Sequence, residues 1–455
     1  MWKLCRIVPI YKSGKRHLIN NYRPISIIST MAKVFESIVY PYIYNHVKFS
    51  LSEKQHGFMV KRSTSTNLLI YVTDIVENVD HGHQVDAIYT DFSKAFDKVN
   101  HTLLLQKLLA YGISNPLLNW CKSYLLGRSS IVVLDGYQSD PFANYSGVPQ
   151  GSNLGPLFFN IFINDIVNIS NNSGMSLFAD DLKLMRVIKD VRDQHLLQED
   201  LNRLTKWCRT NKMYLNVEKC VHIKFTRKKN IFPSKYFING RVLSETNNIR
   251  DLGVIMDSRL SFIPHIDRSL ELANRSLGFV MRSTKGFKNT ATIFKIFISL
   301  VRGKLEYCNV IWSPYKKLHT SRIENIQKRF LRQISYKFKL KFKNYNDSLK
   351  YFKIFSLEMR RKTLCLMFLF KLLNNKIDCP DLLNRFLFRV PSKVPRYPCK
   401  LFQVATYRTQ LGKNSPIPRM ATLYNQIAKE INNLDICHDK QVQFRQKILT
   451  YFSNH

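Results

Sequence analysis

Residues 178–181 read Phe-Ala-Asp-Asp, with Ser176-Leu177 before them and Leu182-Lys183-Leu184-Met185 after. Two short apolar runs so placed predict a tight β-hairpin that carries adjacent carboxylates at its tip. Two carboxylates at about 4 Å repel by roughly 4 kcal/mol at an effective dielectric near 20, so a fold that pins them together calls for a cation between them. Most Asp-Asp pairs are solvated turn residues, and taken alone this pair fits that reading as well.

A second segment bears on the choice. Gln84-Val85-Asp86-Ala87-Ile88-Tyr89-Thr90-Asp91-Phe92 reads as a strand of alternating, half-buried character, with Asp91 near its end. A helix follows, with Asn100 as N-cap, an apolar face of Leu103, Leu104, Leu105, Leu108 and Leu109, and Gly112 as its stop. Asp91 therefore falls at a strand-to-helix transition, a place that suits both a turn residue and a functional carboxylate.

Three motifs in order carry a resemblance. Asp91-Phe92-Ser93-Lys94-Ala95-Phe96-Asp97, then Gly147-Val148-Pro149-Gln150-Gly151-Ser152-Asn153-Leu154-Gly155-Pro156-Leu157-Phe158-Phe159, then Phe178-Ala179-Asp180-Asp181 resemble the palm motifs of reverse transcriptases. The Val-Pro-Gln-Gly-Ser and Leu-Gly-Pro forms, with Phe162-Ile163-Asn164-Asp165 after them, are similar to the non-LTR, jockey-like LINE elements of animals. The resemblance implies an α/β (α+β) right-hand polymerase, with a fingers-palm body around an antiparallel sheet over 1–258, a helical thumb over 259–384 and a carboxy-terminal tail region over 385–455. It implies RNA-directed DNA polymerase activity, joining a primer 3′-hydroxyl to the α-phosphate of a dNTP on an RNA template. Such chemistry uses two cations about 3.5–4 Å apart, and hard Mg²⁺ calls for oxygen ligands. Asp91 and Asp180 map onto the family's metal-binding pair and Asp181 onto its supporting carboxylate; Mn²⁺ is expected to substitute.

Other assignments follow from the same resemblance. Phe96 matches an aromatic placed beneath the sugar, where its bulk would exclude a ribose 2′-hydroxyl; it is equally readable as a core aromatic. Gln150 and Gly151 match a loop against the incoming nucleotide and template base, where glycine's missing side chain permits close backbone approach. Val8-Pro9-Ile10-Tyr11-Lys12-Ser13-Gly14-Lys15 and Asn21-Tyr22-Arg23-Pro24-Ile25-Ser26 resemble the fingers hairpin, which makes Lys12 and Arg23 triphosphate contacts. Gln55-His56-Gly57-Phe58 with Arg62-Ser63-Thr64 resembles the next fingers motif, with Arg62 in a similar role. Asn211-Lys212-Met213-Tyr214-Leu215-Asn216-Val217-Glu218-Lys219-Cys220 resembles the following palm motif, where Lys219 would protonate or stabilise departing pyrophosphate or serve as a surface lysine. Asp251-Leu252-Gly253-Val254 resembles the primer-grip turn.

Charge narrows the partner. Lys and Arg number 70 against 32 Asp and Glu, a net charge of +38, which favours a polyanion, nucleic acid above all; the resemblance implies that this is an RNA template and a DNA primer or target. The most apolar stretch, Thr363 to Phe370, is cut off by Lys371 and falls short of the ~20 residues of a spanning helix, so no membrane partner is expected. Nine cysteines without a Cys-x-x-Cys pair read as reduced thiols, and Cys437-His438 lacks neighbours at zinc-ligand spacing. Ile323, Ile326, Phe330, Leu331 and Ile334 recur at helical spacing, with Ser321 and Glu324 as a capping box and Lys328, Arg329 and Arg332 on the polar side. Lys337 to Lys343 alternates lysine with Phe338, Leu340 and Phe342, a basic strand or loop suited to nucleic acid or to guarding a sheet edge. Residues 348–376 read as helical. Prolines 391, 395, 398, 416 and 418 predict irregular structure over 385–420, before a last helical stretch over 420–452.

The chain starts almost at the segment resembling the fingers hairpin, so the expectation is that the endonuclease and amino-terminal extension of complete elements are absent. A rival reading is a truncated, inactive copy that only binds RNA or DNA. Nuclear action, with a cytoplasmic ribonucleoprotein stage, is expected by analogy alone, and the sequence does not specify an oligomeric state.

Overall fold

A computed structural model describes residues 2–12, 14–389, 401–431 and 434–454. The chain forms two compact units that interleave in sequence: one of Met1–Met59, Asp86–His222 and Phe232–Glu245, the other of Val60–Val85, Ile223–Ile231 and Thr246–His455.

In the first unit, β1 (Leu4–Tyr11) and β2 (Tyr22–Ile27) form an antiparallel ladder from Arg6↔Ile27 to Tyr11↔Tyr22. β4 (Arg128–Leu134) lies parallel to β1, and β5 (Tyr137–Gln138) and β6 (Phe142–Asn144) pair with β4. A second five-stranded sheet has the order β12-β9-β3-β8-β7, with β3 at Gln84–Thr90, β7 at Gly174–Phe178, β8 at Asp181–Ile188, β9 at Val221–Phe225 and β12 at Ser244–Glu245. Short strands β10 (Phe237–Ile238) and β11 (Arg241–Val242) pair with each other.

Two features of these sheets differ from expectation. The parallel pairs β1–β4 and β9–β12 make the sheets mixed where an antiparallel sheet was expected; the long, helix-bearing connection from β1 to β4 is what a parallel pairing requires. β3 is buried along nearly its whole length, not alternately, because it is the central strand of its sheet.

The first unit's helices include α1 (Thr30–Val47), α3 (His101–Ala110), α4 (Leu117–Leu125), α5 (Leu154–Ile163) and α6 (Val191–Thr210); α2 (Thr64–Asp80) belongs to the second. α3 begins as expected, since the Asn100 side chain accepts from the Leu103 amide at 3.0 Å. Leu104 and Leu108 are buried, but Leu109 is more than half exposed, one step off that face. α5 is apolar but for Asn160 and is buried from Leu157 to Ile163, the mark of a helix through the middle of a core.

The second unit is mainly helical. A hairpin of β13 (Asn248–Asp251) and β14 (Val254–Asp257) precedes α7 (Ile263–Ser283), and longer helices follow at Lys317–Lys337, Leu357–Leu373, Pro416–Glu430 and Gln441–Asn454. Ile323, Ile326, Phe330, Leu331 and Ile334 are all buried. The expected capping box is not formed: the helix begins at Lys317, four residues ahead of Ser321. Glu324 instead accepts from the amides of Leu357 at 3.0 Å and Glu358 at 3.1 Å, capping the 357–373 helix, whose free N–H groups attract a carboxylate. Residues 338–343 are a loop without a strand. The helix expected over 348–376 is broken where Lys353 has φ 52°. Pro416 and Pro418 start a helix instead of preventing one, because the first turn needs no N–H donor; prolines 391, 395 and 398 lie outside the described residues. Among the described residues eight cysteines are free, and no helix is long and apolar enough to cross a membrane.

Candidate active site

Asp91 follows directly on β3. Its neighbours are zipped to the 214–216 segment: Ser93 N donates to the Tyr214 carbonyl at 2.8 Å and Asn216 N to the Asp91 carbonyl at 2.7 Å. Phe92 is buried beneath, so the backbone is held while the carboxylate of Asp91 stays 38% exposed. Lys219 Nζ lies 3.5 Å from Asp91 Oδ2. Both groups are well exposed, so the ion pair adds little to stability and the ammonium remains free to turn to another anion.

The β7–β8 ladder closes at Phe178↔Asp181, leaving Ala179-Asp180 as a two-residue turn. Ala179 has φ 54°, a left-handed conformation that costs a residue with a Cβ roughly 1–3 kcal/mol. Asp180 sits half-buried, and its carboxyl is pushed above the usual carboxylate range, first by burial and then by the nearby charge of Asp91. Arg23 and Lys12 pull in the opposite direction, so the cations of the β1–β2 hairpin act on this carboxylate. The charge of Asp91 thus reaches the Asp180 carboxylate, a repulsion that a bound cation would offset. Asp181 starts β8 and is exposed. Among the described residues no three His, Cys, Asp or Glu side chains gather as a metal cage.

The 147–155 loop is bound to its own chain. Gly147 has φ 87°, and a Cβ there would come within 2.8 Å of the Asp97 backbone. Gly147 N donates to the Val99 carbonyl at 2.8 Å, Val148 N to the Phe96 carbonyl at 2.9 Å, and His101 Nε2 lies 2.7 Å from the Gly147 carbonyl. The Gln150 amide reaches Asp97 Oδ1 at 3.3 Å, and the Gln150 carbonyl accepts from Ser26 N at 2.8 Å. Burial raises the Asp97 carboxyl, partly offset by Lys94. Gly151, at φ 126°, would drive a Cβ into the Ser26 carbonyl, so the close approach its missing side chain permits is to β2. Phe96 is half-buried, stacked on Phe159 at 4.4 Å and edge-on to Phe58 at 5.9 Å.

Arg62 belongs to the second unit, where its Nε donates to the Asp378 carbonyl at 3.1 Å.

Two residues shape the site in ways the sequence reading did not assign: Glu36 went unmarked, and Gln55 stood only as part of a fingers-like motif. Glu36, on α1 and 2% exposed, accepts from Asn153 N at 2.7 Å and Tyr124 Oη at 2.9 Å, anchoring the start of α5. Gln55 accepts from Ala179 N at 2.8 Å and donates to the Ala179 carbonyl at 3.2 Å. Neither lies near its partner in sequence, and no local pattern announces such a contact.

Residues 10–256, more than half of the chain, match the family of reverse transcriptases (RNA-dependent DNA polymerases). The RNA-directed DNA polymerase from mobile element jockey of Drosophila funebris is 29% identical over 343 residues, covering 72% of this chain and 37% of the relative. The probable RNA-directed DNA polymerases from transposon X-element and transposon BS of Drosophila melanogaster are 29% and 27% identical, each covering 73% of this chain and 38% of the relative. The chain therefore spans little more than a third of the length of these relatives. With its motifs in order at the end of β3, on the loop that leads into α5 and on the β7–β8 hairpin, the chain belongs to the reverse transcriptase family, among the jockey-like members from non-LTR retrotransposons.

Proposed function

We propose that the first unit is an RNA-directed DNA polymerase that extends a primer 3′-hydroxyl with dNTPs on an RNA template. The observation that carries this reading is the pairing of Asp91 and Asp180, one held by a buried strand and one at a hairpin tip, with the carboxyl of Asp180 raised by burial and by its neighbour.

Asp91 and Asp180 would hold divalent cations, Mg²⁺ or Mn²⁺, which supply charge neutralisation at the attacking hydroxyl and at the pyrophosphate leaving group. Asp181, exposed at the start of β8, would support them. Lys12 and Arg23 supply positive charge for the triphosphate. Lys219, already beside Asp91, provides an ammonium that can stabilise or protonate departing pyrophosphate. Phe96, fixed between Phe58 and Phe159, offers a flat ring on which a deoxyribose would rest and a ribose 2′-hydroxyl would clash. Gln150 and Gly151 would line the nucleotide's path. Arg62 keeps its proposed phosphate role only by leaving the Asp378 carbonyl.

We also propose that residues before about 258 form the fingers and palm, that the helices over 259–384 serve as a thumb with 385–455 as a tail region, and that the enzyme acts in the nucleus after a cytoplasmic ribonucleoprotein stage. The test is dNTP incorporation by the purified chain on a primed RNA template with Mg²⁺ or Mn²⁺, beside Asp180→Asn. Metal-dependent extension lost in the variant is the expected result; RNA binding without extension in either metal would overturn it in favour of a binding-only protein.

A further inference from the structure

We infer that Gln55 is a positioning residue for nucleotidyl transfer: its side-chain amide fixes the left-handed backbone of Ala179 and so aims Asp180. The inference rests on the reading that Asp91 and Asp180 carry the reaction.

Gln55 is 3% exposed, and its amide is spent on the hairpin tip. Oε1 accepts from the backbone N–H groups of Ala179 and Gly57, both at 2.8 Å, while Nε2 donates to the Ala179 carbonyl at 3.2 Å. One amide thereby satisfies both backbone groups of the residue with φ 54°. In a tight turn those two groups point away from any strand partner, and left unpaired in a buried place they would favour another turn conformation. A carboxylate has no donor for the carbonyl, an ammonium has no acceptor for the N–H groups, and asparagine is one methylene short.

The backbone around Gln55 makes the clamp rigid. His56 N donates to the Leu177 carbonyl and Leu177 N to the Lys54 carbonyl, each at 3.0 Å, laying residues 54–56 parallel to the end of β7. From α5, Asn160 Nδ2 donates to the Gly57 carbonyl at 2.8 Å. Any Cβ at Gly57 would fall on the Ala179 nitrogen. Asp180 is the next residue along, so a turn that relaxes to φ < 0 at Ala179 swings its carboxylate away from Asp91. The 55–57 segment therefore acts on the chemistry through the backbone of the turn, without touching a substrate.

The experiment is single-turnover and burst-phase dNTP incorporation by the full chain, comparing the parent with Gln55→Met and Gly57→Ala, beside RNA affinity and the Mg²⁺ concentration giving half-maximal rate. The expected result is a fall of about tenfold or more in the rate of the burst, a rise in the Mg²⁺ midpoint, and dNTP KM and RNA Kd within about twofold of the parent. A merely structural role would instead lower the burst amplitude, the fraction of folded enzyme, at unchanged burst rate and Mg²⁺ midpoint; that outcome overturns the inference. Should Gln55→Met fail to fold, Gly57→Ala presses on the same contact from the other side and is read by the same criteria. Asp180→Asn separates the two levels of argument: if it extends primers at the parental rate, the active-site reading falls; if it is inactive while both clamp variants keep the parental burst rate, the clamp alone falls.

Discussion

Of the hairpins that turn in two residues among the described residues, two reach positive φ by different means. In the second unit, Leu252-Gly253 joins β13 to β14 with φ 44° and 88°. The glycine supplies much of that conformation, and Tyr307 Oη, donating to the Leu252 carbonyl at 2.8 Å, completes it. In the first unit, Ala179-Asp180 has no glycine, and its backbone is satisfied by a side chain 124 residues away. A turn free to choose its residues can encode its own geometry. A turn that must present a carboxylate hands that task to a distant part of the fold.

The comparison breaks most easily at Asp180. If the first hairpin is strained for the sake of its carboxylate, Asp180→Asn keeps the turn and loses the chemistry: primer extension falls by about 10³-fold or more, some 4 kcal/mol of barrier, while RNA affinity is retained. A variant still extending at the parental rate would leave the strain at Ala179 without a purpose.

Glu36 tests whether remote anchoring is general in the first unit. Truncation in Glu36→Ala leaves the Asn153 amide and the Tyr124 hydroxyl without their shared acceptor, at a cost of roughly 3 kcal/mol in urea unfolding. A loss below about 1 kcal/mol would mean that the start of α5 holds itself, and the contrast would shrink to the Ala179 turn alone.

The second hairpin has its own remote support, and pH exposes it. His265 on α7 accepts from Ile255 N at 3.3 Å and packs edge-on to Trp312 at 4.9 Å. Burial, with Arg250 nearby, pushes it down from 6.5 to about 4. A depressed folded value means that the unfolded chain takes up the proton first as pH falls. The stability is therefore complete above pH 6.5 and is lost towards pH 4, about 2.5 kcal/mol by pH 4.5. Urea unfolding at pH 7.5, 5.5 and 4.5, beside His265→Gln, measures it; the same pH slope in the variant would remove His265 from the account.

Legibility in the sequence follows the same division. Asn100 announced α3 because a cap acts within three residues, and the 323–334 helix was legible because its period is local. Ser321 with Glu324 had the look of a cap, but burial of Glu324 against another helix's first turn outweighed the short-range pattern. Asp91 and Asp180 stood out by chemistry and by resemblance; their mutual influence needed the fold. Gln55 and Glu36 act across 124 and 117 residues, and a glutamine or glutamate in isolation carries no mark of its partner. Gly151 was legible as a close approach, though what approaches is β2 of the same chain.

The smallest effects come from exchanging the turn residues, and they decide the comparison in sign. Gly253→Ala places a Cβ at φ 88° and 3.0 Å from the Tyr307 ring, which predicts a loss of about 1–2 kcal/mol in urea unfolding. Ala179→Gly runs the other way. Relief of left-handed strain, about 1 kcal/mol, is offset by the greater freedom glycine gives the unfolded chain, of similar size. Its net change should fall within about 0.5 kcal/mol of zero, because a turn already clamped by Gln55 gains little from a residue that accepts the conformation unaided. A stabilisation well above 1 kcal/mol would show that Ala179 still carries strain the clamp does not meet, and the two hairpins would then differ less than their hydrogen bonds suggest.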